Sequence, residues 1–107
     1  MDRHEAWEII EKILDGKAPI VRGDHFKMRL KRRGYTMADV RRVLRKGRIE
    51  RDPKLDPQWG NHTVLVRGNS WDGRDTRIVL ALRSAGTNFY ITIVDIEHVG
   101  PASISGP

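Results

Sequence analysis

The chain of 107 residues, 38% apolar with three Trp, two Tyr and two Phe, is long enough for one modest core and too short for two. It has no cysteine, which excludes disulfide staples and thiolate metal sites, and no apolar run approaches the length of a membrane span. The net charge of +6 points to a polyanionic partner and is local: residues 22–51 carry twelve Lys and Arg against three Asp and Glu, and the rest of the chain is net negative.

Asp2 and Glu5 have the spacing of a capping box, and Ala6, Ile9, Ile10 and Ile13, with Trp7 and Leu14, follow at helical period up to Gly16. A helix over 3–15 is expected. Its outer face, Glu5, Glu8, Glu11 and Asp15, is acidic and suited to balance part of the basic segment. Charges every few residues make this start unlike a signal peptide, so a soluble cytoplasmic protein is expected.

Pro19, Ile20 and Val21 read as extended chain, after which Asp24 is placed to cap a second helix ending at Gly34. On that helix His25, Arg29 and Arg32 share one face, and Phe26, Leu30 and Arg33 the neighbouring one. Thr36 with Asp39 repeats the capping-box spacing. Met37, Val40, Val43 and Leu44 then form the apolar stripe of a third helix closed by Gly47. Arg41, Arg45 and Arg48 recur at i, i+4 and i+7, and the cations of the last turn also suit the negative end of the helix dipole.

Residues 52–61, with two Pro, two Asp, Gly and Asn, read as a loop. Three β-like runs follow, 63–67, 77–83 and 89–96, joined by an Asp72-Gly73 hairpin signal and a turn over 85–88; residues 49–51 add a short edge strand. The expected architecture is α+β, N-terminal helices followed by an antiparallel three- to four-stranded meander, in one domain over 1–98 with a disordered tail over 99–107. Alternation turns Ile78, Leu80, Leu82, Ile91 and Ile93 toward the helices. It turns Arg83, Tyr90 and Thr92, with Arg67 beside them, to the opposite face.

The chain has no P-loop, no G-x-S-x-G, no H-E-x-x-H and no Gly-rich dinucleotide turn. His4, His25, His62 and His98 lack metal-ligand spacing, so neither metal nor cofactor is expected. What remains suits RNA, whose own 2′-OH is a nucleophile and needs only a base, an acid and cations around the phosphate. Histidine titrates near neutrality and arginine binds phosphate bidentately. His25 with Arg29 and Thr92 fits this chemistry; charge and facing add Lys46, Arg48 and Tyr90, and Arg32, Arg33, Arg41, Arg45, Arg67 and Arg83 form the RNA-binding set. Trp59 and Trp71 sit in loops, where an indole either stacks on a base or covers a core edge.

The pattern H-x-x-x-R-x-x-x-R-G-[YIV]-[ST], then a helix ending L-x-x-G-x-I, then a last strand I-T-[IV], spans roughly residues 9–96. It is carried by His25, Arg29, Arg33, Gly34, Tyr35, Thr36, Val40, Leu44, Gly47, Ile49, Ile91, Thr92 and Ile93. It resembles a small bacterial family related to the RelE, BrnT and MqsR toxins, whose barnase–EndoU–colicin–RelE-like fold hosts metal-independent ribonucleases. The resemblance implies an endoribonuclease toxin that cleaves RNA, ribosome-bound mRNA included, and is neutralised by a cognate antitoxin. It places His25, Arg29 and Thr92 at matching catalytic positions. The rival reading is a non-catalytic module of the same fold that holds nucleic acid or an antitoxin.

Overall fold

A computed structural model describes residues 1–17, 19–85 and 88–99 of the chain. Its elements in order are α1 (Arg3–Leu14), β1 (Ile20–Arg22), α2 (Asp24–Arg32), α3 (Met37–Lys46), β2 (Arg48–Ile49), β3 (Lys54–Asp56), β4 (Asn61–Asn69), β5 (Asp75–Ala85) and β6 (Asn88–His98). The class is α+β. The sheet is larger than the expected meander, with six strands in the order β1-β6-β5-β4-β2 and β3 also paired to β4.

Two strands add to the expected meander, one from the stretch that reads as extended chain and one from the expected loop. β1 lies parallel to β6, Val21 opposite Thr92, and β3 lies inside the expected loop, Lys54 opposite Thr63. Three residues are too few to show a period, so long-range pairing alone makes these segments strands. The expected 85–88 turn and C-terminal tail fall largely outside the described residues.

The helices form where local hydrogen bonds close their ends. The Asp2 carboxylate accepts the Glu5 amide at 2.8 Å, and at α3 the Thr36 hydroxyl accepts from Asp39 N–H at 3.2 Å while the Asp39 carboxylate accepts from Thr36 N–H at 2.9 Å. The cap of α2 differs from expectation, because Gly23 and not Asp24 holds that position and no side chain caps it. The Gly23 amide donates to the Ile93 carbonyl at 3.1 Å, so the chain is fastened to the sheet one residue before the carboxylate.

One face of the sheet packs against the helices. Ile9, Ile10 and Ile13 of α1, Phe26 of α2 and Val40, Val43 and Leu44 of α3 are buried with Val64, Val66, Ile78, Leu80, Leu82, Ile91, Ile93 and Ile96. Each large side chain so buried contributes about 1.5–3 kcal/mol of transfer free energy. The alternation read from β5 holds, but β6 carries an irregularity: Leu80 pairs with Ile93 and Val79 with Asp95, leaving Val94 as an extra residue. This bulge resets the period, so Ile96 is buried where strict alternation from Ile93 sends it outward. Among the described residues no helix is long and apolar enough to cross a membrane.

Candidate nucleic-acid interface

The C-terminal end of α3 meets β4 backbone to backbone. A Cβ on Gly47 would lie 2.5 Å from the Arg67 carbonyl oxygen and closer still to that of Val43, and one on Gly68 would lie 3.0 Å from the Gly47 Cα. Two glycines thus let the helix end sit on the strand, which gathers Arg42, Lys46 and Arg48 around a concavity of about 210 Å³ floored by Gly47 and Gly68 and walled by Arg67. A second concavity, of about 330 Å³, shares Arg42 and Lys46 and is completed by Ala38, Arg41, Arg45 and Trp71.

Trp71 lies between β4 and β5 and is held there by the cap of α3. The other carboxylate oxygen of Asp39 accepts from the Trp71 amide at 2.9 Å, so one buried side chain both starts the helix and anchors the hairpin turn. Burial would raise the Asp39 carboxyl, but the amides of Trp71 and Thr36 and the Thr36 hydroxyl outweigh it and hold the group below the usual aspartate range. The Trp71 residue is 67% exposed, and the Arg42 guanidinium carbon lies 4.4 Å from its ring centroid. Arg42 makes no hydrogen bond within the described residues, and its Nε is covered and unpartnered. On the far side of the same turn, Arg74 stacks over Tyr35 at 3.8 Å and donates to the carbonyls of Arg33 and Gly34.

Arg67 and Arg77 on the sheet are paired with carboxylates, and the cations of α3 are not. Arg67 pairs with Asp75 at 2.6 Å, Arg77 with Glu50 and Glu97, and Arg29 with Asp95 at 2.9 Å. The bonds from Arg77 hold Glu50 below the ordinary carboxylate value, and those from Arg67 do the same to Asp75. By contrast, Arg41, Arg42, Arg45 and Lys46 of α3, and Arg48 after it, form no ion pair among the described residues. The acidic face of α1 approaches this helix at one point, where Glu11 and Asp15 share a cleft with Arg45.

The sequence candidates therefore divide into two groups. At the β1–β6 edge, His25 is exposed in the first turn of α2, two residues after Gly23 docks on Ile93. Thr92 is half-buried between Val21 and Ala81, and Tyr90 lies exposed opposite an exposed Arg83. Arg29 is tied to Asp95, Arg33 donates to the Ile96 carbonyl at 2.7 Å, and Arg32 is exposed. Lys46, Arg48, Arg67, Arg41 and Arg45 belong instead to α3, β2 and β4. β5 stands between β6 and β4, which places the two strands about 10 Å apart.

Two features went unread in the sequence. Arg42 stood out no more than its neighbours, and its contact with Trp71 joins residues 29 positions apart, beyond any local pattern. The second bond of Asp39 likewise crosses 32 positions. Trp59 and Trp71 both lie largely exposed, so neither covers a core edge. Among the described residues no three His, Asp or Glu gather as a metal-binding group.

A family model described as a domain of unknown function, DUF4258, matches residues 23–96. That span contains α2, α3, β2 to β5 and β6 up to Ile96. No curated protein and no solved structure matches the chain.

Proposed function

We propose that this chain, which belongs to the DUF4258 family, is a metal-independent endoribonuclease of RelE-like fold that acts in the cytoplasm as the toxin of a toxin–antitoxin pair. The observation that carries this is the open position of His25, on the first turn of a helix docked directly onto the strand that bears Thr92 and Tyr90. An imidazole open to water at such an edge is accessible to a ribose hydroxyl, and its ring nitrogens suit either proton role.

In this scheme His25 takes the proton from the 2′-OH, the 2′ oxygen attacks phosphorus, and the bond from phosphorus to the 5′ oxygen breaks. A 2′,3′-cyclic phosphate remains, and the departing 5′ oxygen collects a proton from the imidazolium or from water. Thr92 and Tyr90 orient the ribose or phosphate through their hydroxyls. Arg29 spends Nη1 on Asp95 and keeps its other N–H groups for the phosphate.

A second reading, RNA held without cleavage, is favoured by one observation. The charge of Arg29 is already answered by Asp95, and on the α3 side Lys46 sits by β4, two strands from that of Thr92, and Arg48 on β2, three strands from it. Incubating the protein with total RNA in EDTA, beside the His25→Ala variant, separates the two. The nuclease reading expects fragments from the wild type and intact RNA from the variant. Intact RNA from both at high protein concentration supports binding alone, and equal cleavage by both removes His25 from the chemistry.

A further inference from the structure

We infer that the groove between α3 and Trp71 is a site for single-stranded RNA, distinct from the His25 edge: an unpaired base stacks on the Trp71 indole and an adjoining phosphate enters the pocket of Arg42, Lys46 and Arg48. The inference rests on the RNA reading above for its class of ligand and is independent of whether the chain cleaves.

Three observations meet at this groove. First, Trp71 is exposed yet fixed, its amide held by the buried Asp39 and its ring backed by Arg42, so little freedom is lost when a base lands on it. Second, the Arg42 guanidinium is positioned by the indole and makes no hydrogen bond of its own; its Nε is covered, and its terminal Nη groups are the donors left for a phosphate. Third, the two concavities share Arg42 and Lys46, so the stacking surface runs directly into the cationic pocket, as one nucleotide requires of its base and phosphate.

The partial negative charge of the α3 C-terminus offsets only part of this. Lys46, Arg48 and the Arg42 guanidinium form no ion pair among the described residues, although Arg48 lies close enough to Glu50 and Asp75 to act on their charge. A base-paired duplex keeps its bases stacked on each other and offers none to an indole. An acidic polypeptide would answer the cations but leave the exposed ring without a partner. Single-stranded RNA uses both halves of the groove.

The test uses the full chain carrying His25→Ala, so that RNA is not consumed, and a fluorescein-labelled single-stranded RNA of ten nucleotides followed by anisotropy. Adding Trp71→Ala is expected to weaken binding roughly tenfold or more, the effect of one lost stack. Trp71→Phe should recover most of that loss. Arg42→Gln should weaken binding and lower the slope of log affinity against log salt by about one.

Unchanged affinity in Trp71→Ala overturns the inference, and so does a Phe variant that restores Tm without restoring affinity. Polyglutamate displacing the RNA equally from the wild type and Trp71→Ala would assign the groove to an acidic protein. If the wild type cleaves RNA through His25 while affinity ignores Trp71, the inference fails and the nuclease reading stands. If no RNA is cleaved but binding follows Trp71, the reverse holds.

Discussion

Arg67 and Arg77 occupy opposed positions on β4 and β5 and are closed by Asp75, Glu50 and Glu97, whereas Arg41, Arg42, Arg45 and Lys46 on α3 form no ion pair among the described residues. The difference follows from burial. A strand arginine half-covered by neighbours loses hydration and needs a fixed anion to hold it there, while Arg41, Arg45 and Lys46 on the outer helix face keep their water and the partly covered Arg42 rests on the Trp71 ring instead. Positive charge counted along the chain therefore overstates what is available to a polyanion. Arg67 is spent within the fold and Arg29 in part, and the cations without an ion pair are concentrated on α3 and Arg48.

This contrast breaks most severely where its two sides join. Gly47→Ala forces α3 away from β4 because the new methyl meets two carbonyl oxygens, and a loss of about 3 kcal/mol or more is expected, read as a fall in Tm and loss of RNA binding together. Arg77→Ala tests the balanced side alone. It leaves the half-buried Glu50 without its main donor, at a cost of about 2 kcal/mol in chemical denaturation and with little change in RNA affinity.

Acid probes the same pairs more gently. Glu50 and Asp75 are held below their ordinary values of 4.5 and 3.8, so their contribution is complete above those values and disappears as pH falls through the lower folded-state values. Tm should stay level from neutrality to about pH 5 and then drop. Glu50→Gln should start lower and drop less. The mildest change is Arg41→Ala with Arg45→Ala on the unbalanced side: Tm nearly constant, but a salt slope of RNA binding reduced by about two. A large fall in Tm there would show that these cations are structural after all.

The location of the charge was legible in the sequence, and its division was not. His25, Arg29, Lys46 and Arg48 read as one constellation because they follow one another on two consecutive basic segments. In the fold α2 packs on β6 and α3 on β4, so neighbours in sequence serve different edges of the sheet. Thr92 and Tyr90 were placed on the open face by alternation, which holds up to Ile93 and is interrupted only at the Val94 bulge.

By itself the sequence determined the helices and the inward faces of β5 and the first half of β6. A cap such as Thr36 with Asp39 closes over three residues, and a period of two or 3.6 is written in adjacent side chains. Only the tertiary structure decided that β1 would lie parallel to β6, that β3 would form, that Asp95 would pair with Arg29 across 66 positions, and that Asp39 would reach the amide of Trp71. Each of those contacts exists only once distant segments are held together by a shared core, and no local pattern encodes the partner that the folded chain brings to them.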